Sequence, residues 1–343
     1  MTTDVNGSPS RDDTPVPGGP RAPSAAPWPW LRTVLGVGGI IALGALVRHV
    51  GPHVVLATLR SALAWLPALC ALELLRIVSE TAATYFAFGA LARRIPRLTL
   101  LRAHVLGHSM ANVAPAPSVV SETIKATLVT PHVGVGAAAS VAFINQAATL
   151  MSVGLFSIPC GVAILALREG TGGTDATVWF WACAIHAVVL VGSGLALQAA
   201  TRAKGPGLWL VRRFPRMAER AGAFRAHAIG GGWLAGRTTT ALLVGRALQT
   251  VQLGLAARAV GIDTSLLRAL AAQGVNLVAA AVFVMVPGGF GTTDGAFALA
   301  AGVLGTDAAK ATSLALLIRC MQLVWVMIAS LVALAGKRRA ARG

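Results

Sequence analysis

The sequence has little charge, and the charge it has is mostly positive. Only 12% of its 343 residues are charged, with 29 lysines and arginines against 12 aspartates and glutamates. Soluble domains have a charged fraction of about 25%, so this composition excludes an ordinary soluble domain. The hydrophobic fraction of 55% and the mean hydropathy of +0.71 predict an all-α polytopic membrane protein, since an apolar helix of about 20 residues crosses a bilayer.

Motifs of the common catalytic and cofactor sites are missing. The four cysteines lie far apart in apolar runs without a C-x-x-C spacing, which predicts neither a disulfide framework nor a metal site. There is no Walker A loop, dinucleotide fingerprint, Ser-His-Asp arrangement, zinc finger or RNP-like motif. We therefore expect no cofactor, no metal and no nucleic-acid partner, and a transporter-like protein rather than an enzyme.

Long apolar runs predict about six full membrane crossings and two interrupted ones. The full crossings are predicted at 31–50, 63–90, 137–167, 177–201, 236–258 and 312–336. The interrupted regions are 101–130 and 266–305. The first is predicted to be a re-entrant hairpin, because its arms of about 13 residues are too short to cross singly.

The distribution of basic residues predicts the orientation, since lysine and arginine collect in cytoplasmic loops. The regions 91–102 and 202–225 and the C-terminal end are rich in them. We therefore expect an integral protein of the cell (plasma) membrane with both termini cytoplasmic. The 202–225 loop is expected to contact anionic lipid head groups of the inner leaflet.

The same patterns predict the domain organisation. Residues 1–27 are rich in proline, serine and glycine and are expected to form a disordered tail. The integral membrane domain is predicted over 28–337, and the basic cytoplasmic tail over 338–343. Within the membrane domain we predict two pseudo-repeats, 31–201 and 234–337, joined by the loop 202–233.

The two interrupted regions contain similar polar breaks, "PAPSVVSE" and "PGGFGTTD". In each, an acid follows a proline by seven residues: Glu122 follows Pro115, and Asp294 follows Pro287. One region starts inside and the other outside, which is typical of an inverted repeat whose broken helices meet near the midplane. The alternative for each motif is an ordinary tight loop at the membrane surface.

The residue types in the second break are suited to an interruption of the helix. Proline removes an amide donor, and Gly288, Gly289 and Gly291 permit a close approach to a ligand. Thr292 or Thr293 is predicted to cap the helix that follows, with the nearby acid in its first turn. Such a break is tolerated at membrane depth where it lines a wet cavity.

Three segments resemble the lysylphosphatidylglycerol synthase transmembrane region, also called the flippase-like domain family: "NVAPAPSVVSETIKATLV", "VPGGFGTTDGAFALAAGVLG" and "ALLIRCMQLVWVMIASLVALAGK". The resemblance covers most of residues 31–337. The family shows Pro, then Gly-Glu and a base, in its first half, and Pro-x-Gly-Gly-x-Gly-x-x-Glu with a later Arg in its second. By position the resemblance implies site roles for Glu122, Lys125, Pro287, Gly288, Gly289, Gly291, Asp294 and Arg319.

The sequence also departs from the family pattern. Ser121 replaces the glycine before the first acid, and Asp294 replaces the usual glutamate. A Glu-Arg-x-x-Asp-like element of the family corresponds to Asn145, Gln146 and Thr149, which are uncharged. These differences leave the identity of the lipid head group undetermined by the resemblance. Multidomain relatives carry a soluble aminoacyl-transferase domain after this region, and we expect none here.

Further charged residues fall inside the predicted crossings. Glu73, Arg76 and Glu80 are spaced i, i+3 and i+7 on one helical face. They are predicted either to line a lipid or ion path or to form an internally neutralised structural triad.

Two other polar pairs occur at helical spacing. His104 and His108 lie four residues apart and are predicted to be hydrogen-bonded interior histidines rather than metal ligands. Arg246 and Gln249 lie three residues apart and could face the same cavity.

These features predict a lipid flippase or scramblase-like protein that moves a polar or anionic-headed lipid through a midplane cavity. With no ATPase motif, transport would be passive or ion-coupled. The alternatives are a membrane-embedded enzyme or accessory subunit acting on a lipid-linked substrate, and an ion-coupled small-solute transporter. Oligomerisation remains open. The full predicted set of substrate-binding or translocation residues is Pro115, Glu122, Lys125, Pro287, Gly288, Gly289, Gly291, Thr293, Asp294, Arg319, Glu73, Arg76 and Glu80.

Overall fold

A computed structural model of the chain describes residues 48, 52–112, 114, 117–168, 174–201, 235–282 and 291–340, and these contain helices and no strand. The predicted all-α polytopic class is confirmed. Short 3-10 helices at Leu63–Trp65 and Gly89–Arg94 flank α2. The α-helices in the described ranges are α1 Pro52–Ala62, α2 Leu66–Phe88, α3 Arg97–Ala111, α4 Pro117–Val133, α5 Val135–Ala166, α6 Thr174–Thr201, α7 Ala235–Ala259, α8 Leu266–Val282, α9 Thr292–Leu299 and α10 Ala308–Ala340.

Four stretches of the described chain are long and apolar enough to cross a membrane. They are Leu59–Arg94, Val135–Ala166, Asp175–Gln198 and Ala308–Ala335, and they confirm four of the predicted crossings. The predicted crossing at 31–50 lies outside the described residues, apart from Arg48. The predicted crossing at 236–258 forms the continuous helix α7, whose arginines and threonines lower its hydropathy, so its role as a span stays a prediction.

The first interrupted region forms a pair of short helices. α3 ends at Ala111, α4 begins at Pro117, and the two helices pack against each other. The break is shorter than predicted, because residues up to Glu122 already belong to α4. Proline suits the first turn of a helix, where its missing amide hydrogen has no intrahelical partner, so Pro117 starts α4 rather than extending the break.

The second interrupted region also contains two separate helices. α8 ends at Val282, and the eight-residue α9 begins at Thr292. Residues 283–290, which include the proline and two of the glycines of the predicted turn, lie outside the described residues. The inverted relation between the two interrupted regions stays a prediction.

Helix α7 lies at the centre of the described bundle. It packs against α2, α5, α8 and α10, and α5 in turn packs along α6. The largest buried apolar cluster joins residues of α2, α7, α8, α9 and α10. This packing places polar residues of α2, α3, α4, α5 and α7 around one internal space.

Candidate functional site

Arg76 on α2 holds two carboxylates of the same helix face. Its Nε lies 3.1 Å from Glu73 Oε2, its Nη2 lies 2.6 Å from Glu73 Oε1, and its Nη1 pairs with Glu80. Glu73 and Arg76 are buried, with 2% and 7% of their surfaces exposed. The predicted internal pairing is therefore present, since i,i+3 and i,i+4 side chains meet on a helix.

Residues from two other helices complete the shell of Glu73. His108 Nε2 lies 2.8 Å from Glu73 Oε1, and Arg76 Nη2 lies 3.0 Å from His108 Nδ1. Gln252 on α7 donates from Nε2 to Glu73 Oε2 at 3.1 Å. A His108 tautomer with its proton on Nε2 satisfies the contacts with Glu73 and Arg76, because Arg76 can only donate. The buried carboxylate of Glu73 is thus paired and hydrogen-bonded, as burial requires.

A polar cavity of about 170 Å³ adjoins this charged network. Glu80 and His108 belong to both, so the network reaches the cavity wall. The cavity brings together polar side chains from five helices: Glu80 and Thr84 of α2, His104 and His108 of α3, Ser118, Ser121, Glu122 and Lys125 of α4, Asn145, Gln146 and Thr149 of α5, and Arg246 of α7.

The acid and base of the first interrupted region form an ion pair in this cavity wall. Lys125 Nζ donates to Glu122 Oε1, one turn apart on α4. Gly107 of α3 packs closely against this part of α4. A Cβ at position 107 would lie 3.0 Å from Ser121 Oγ, 3.1 Å from the Ser121 carbonyl oxygen and 3.2 Å from Lys125 Cγ. The hairpin packing that positions Glu122 and Lys125 therefore requires a glycine at position 107.

We expect Gly107→Ala to destabilise the protein by roughly 1–3 kcal/mol, the usual cost of overpacking. The backbone carbonyl of Ser121 cannot rotate away, so α4 must shift with its ion pair. Thermal unfolding in detergent measures the change. The matched control is Gly192→Ala on α6, where a Cβ would meet nothing within 4 Å and alanine favours the helix. Equal melting temperatures for Gly107→Ala and the wild type would contradict this packing.

The three uncharged positions that depart from the family pattern all line the cavity. Asn145 Nδ2 donates to Thr84 Oγ1 at 2.8 Å, and His104 Nε2 lies 2.9 Å from the same oxygen. Asn145 Oδ1 is buried and has no hydrogen-bond partner among the described residues. Gln146 and Thr149 follow on the same helix. All three positions therefore lie in the wall of one polar cavity.

Arg246 is the cavity cation supplied by α7. Its Nη1 donates to Gln249 Oε1 at 3.0 Å, which confirms the predicted i,i+3 pair. The same oxygen accepts from Gln273 Nε2 at 3.1 Å. Within the described ranges no carboxylate forms a salt bridge with Arg246, whereas Arg76 pairs with two carboxylates and Lys125 with one.

The acid and base of the second interrupted region form a separate ion pair. Arg319 Nε on α10 donates to Asp294 Oδ1 and Oδ2 at 2.9 and 3.0 Å. Asp294 is fully buried, and its Oδ2 accepts from the Gly291 backbone N–H at 2.9 Å. The predicted cap by Thr292 or Thr293 is wrong: Gly291 occupies the N-cap position with φ 73°, a left-handed conformation that glycine adopts readily.

The structure separates the predicted site residues into three groups. Glu80, Glu122 and Lys125 line the polar cavity, while Glu73 and Arg76 lie behind its wall. Asp294 and Arg319 pair elsewhere, with Gly291 and Thr293 in the same turn. The remaining predicted residues, Pro115, Pro287, Gly288 and Gly289, lie outside the described residues.

Sequence reasoning missed some cavity residues. Thr84 continues the helical face of Glu73, Arg76 and Glu80 at the next i+4 step, so its spacing could have identified it. Ser118 gave no comparable signal, because its position depends on how α4 packs against α5.

An apolar groove of about 640 Å³ adjoins the polar cavity. It runs between α4, α5 and α6, and Ser118, Glu122 and Gln146 line both spaces. The other groove residues are small or apolar for the most part, among them Val119, Ala126, Val135, Ala138, Ala139, Ala142, Phe143 and Leu197. The polar cavity and the apolar groove thus share part of their walls.

The helices and this charged internal cavity define an all-α polytopic integral membrane protein. A family model, the lysylphosphatidylglycerol synthase TM region, matches residues 30–330. The chain therefore belongs to that family, as the resemblance predicted, and the family relates it to membrane lipid handling. No curated protein and no solved structure gives a significant match to the chain.

Proposed function

We propose that the protein translocates a lipid with a polar or anionic head group between the membrane leaflets. The observation that supports this most directly is the junction of the two spaces. Ser118, Glu122 and Gln146 line both the polar cavity and the apolar groove. A lipid needs such a combined site, because its head group requires polar partners and its acyl chains do not.

The charged side chains of the cavity can replace the water that a head group loses when it crosses the membrane. Moving a charged or polar group through hydrocarbon is costly unless partners replace its water. The Glu122–Lys125 pair stands at the junction, where Lys125 attracts a phosphate and Glu122 attracts an ammonium group. Glu73 and Arg76 hold Glu80 in the wall. In this proposal the head group moves past these side chains while the chains follow the groove.

The second interrupted region has a supporting role in this proposal. Asp294 and Arg319 fix the start of α9 against α10, a few residues after Pro287, Gly288 and Gly289 in the sequence. We place the protein in the cell membrane with cytoplasmic termini. Its basic loop 202–225 would contact anionic head groups of the inner leaflet. The absence of an ATPase motif favours passive or ion-coupled movement.

Blocking the groove is expected to slow transport without touching a charged residue. Ala139 lines the groove on α5, and Ala139→Trp would fill space that the acyl chains need. We expect the rate of lipid movement in proteoliposomes, followed by quenching of a fluorescent lipid, to fall at least tenfold, about 1.4 kcal/mol of barrier. The matched control is Val188→Trp at a position of α6 that is 74% exposed and lines neither space.

The outcomes of this experiment separate the functions. Equal rates for Ala139→Trp and the wild type would refute the groove as the lipid path. Loss of transport in the Val188→Trp control would show that any added tryptophan disturbs the bundle. A wild-type protein that moves no lipid but leaves a covalently altered lipid would replace translocation by an enzymatic function.

A further inference from the structure

Among the described residues, two cations, Lys125 and Arg246, line the polar cavity, and they differ in their direct ion pairs. Lys125 is paired with Glu122 on its own helix. Arg246 donates to the neutral amide oxygen of Gln249 and makes no salt bridge with a carboxylate of the described chain. Glu80, the acid that lines the cavity from α2, is held by Arg76. Glu80 lies within electrostatic range of Arg246 but pairs directly with Arg76. Because a guanidinium in a largely enclosed site is stabilised by an anion in direct contact, Arg246 indicates a place for one.

A second, independent observation concerns Asn145, which lines the same cavity. Asn145 is 5% exposed, its Nδ2 is used by Thr84, and its Oδ1 has no hydrogen-bond partner in the described part of the chain. Buried polar atoms are nearly always hydrogen-bonded to protein or to a bound molecule. The free acceptor of Asn145 therefore indicates a ligand group that donates a hydrogen bond.

We propose that Arg246 and Asn145 recognise one head group together: Arg246 binds its phosphate, and Asn145 accepts a hydrogen bond from a hydroxyl or ammonium group beside it. The proposal rests on lipid translocation, because it names the chemistry of the lipid in that cavity. Guanidinium groups match phosphate by paired N–H donors. An amide oxygen selects a hydrogen-bond donor without adding charge to the site.

The experiment measures binding to the purified full-length chain in detergent, with short-chain lipids of matched acyl length. Dioctanoyl phosphatidylglycerol is compared with dioctanoylglycerol, which lacks the phosphate, and with glycerol 3-phosphate, which lacks the chains. We expect Arg246→Gln to weaken phosphatidylglycerol binding about 10- to 100-fold and to leave dioctanoylglycerol binding unchanged. Arg246→Lys should retain part of the affinity. Arg268→Gln is the control, since Arg268 pairs with an exposed Asp263 away from the cavity.

The role of Asn145 is tested with head groups of equal charge. Phosphatidylglycerol is compared with phosphatidylmethanol, and phosphatidylethanolamine with phosphatidylcholine, because only the first of each pair has a terminal donor. We expect the wild type to prefer the donor lipid in at least one pair by several-fold, and Asn145→Leu to remove that preference. If the wild type distinguishes neither pair, the assignment of Asn145 is overturned.

The remaining results distinguish a lipid from a free phosphate compound, test the phosphate site itself, and separate lipid recognition from lipid translocation. Tight binding of glycerol 3-phosphate by the wild type would assign the site to a free phosphate compound instead of a lipid. Wild-type affinity in a folded Arg246→Gln variant, as judged by its melting temperature, would overturn the phosphate site. Should Arg246→Gln not fold, a loss of phosphate selectivity in Arg246→Lys would decide the matter. A protein that binds these lipids but transports none would refute translocation and leave this recognition site standing.

Discussion

Asp294→Asn is expected to destabilise the folded protein by about 3–5 kcal/mol, the cost of leaving one member of a buried ion pair without its partner. Asparagine retains an oxygen that can accept from the Gly291 N–H, so the helix cap survives. What is lost is the charge that Arg319 Nε contacts through both carboxylate oxygens. Thermal or denaturant unfolding in detergent measures the change.

A double substitution shows whether the pair itself causes this effect. In Asp294→Asn with Arg319→Gln no buried charge is left unpaired, and we expect the double variant to be less destabilised than the sum of the two single variants. Additive losses would mean that Asp294 and Arg319 act separately. The control is Asp263→Asn, because the Asp263 side chain is 96% exposed and the loss of its ion pair with Arg268 should have little effect.

The same variants separate a structural from a transport role of Asp294. If the pair only fixes α9 against α10, the stable double variant should move lipid at nearly the wild-type rate. If Asp294 or Arg319 meets the head group during transport, the double variant should fold and still fail in proteoliposomes. The position of the pair outside the polar cavity favours the structural result in the conformation described.

The membrane class and most crossings could be predicted because they depend on composition and run length. The apolar runs that form α2, α5, α6 and α10 are each long enough to cross the membrane as a helix. Run length is a local property of the sequence. The pairing of Arg76 with Glu73 and Glu80 was also predictable, since side chains three and four residues apart meet on any helix.

Residues that meet through tertiary packing could not be predicted in this way. Asn145 and Thr84 are 61 positions apart, and Gln252 reaches Glu73 from 179 positions away. Their contacts depend on how α2, α5 and α7 are placed, and no periodicity encodes that. The helix boundary at Pro117 was missed for a local reason: a proline that starts a helix and one that breaks it look the same in sequence.

Arg76→Gln is expected to cause the other large loss of stability, again about 3–5 kcal/mol. It removes the cation that Glu73 and Glu80 share on α2. Glu73 would keep its contacts with His108 and Gln252, but neither supplies a permanent positive charge. Two carboxylates on one buried helix face would then repel each other. Unfolding measurements on Arg76→Gln, with Arg268→Gln as the surface control, test this expectation.

The triple variant Glu73→Gln, Arg76→Gln, Glu80→Gln decides what the network is for. It leaves no charge of the triad unpaired, so it should be more stable than Arg76→Gln alone although it carries more substitutions. If the triad is only an internally neutralised brace, the triple variant should also move lipid. If it folds but does not transport, Glu80 contributes to the path through the cavity wall that it lines. A triple variant less stable than Arg76→Gln would contradict the charge argument itself, because the loss would then come from the hydrogen bonds of Glu73 rather than from unbalanced charge.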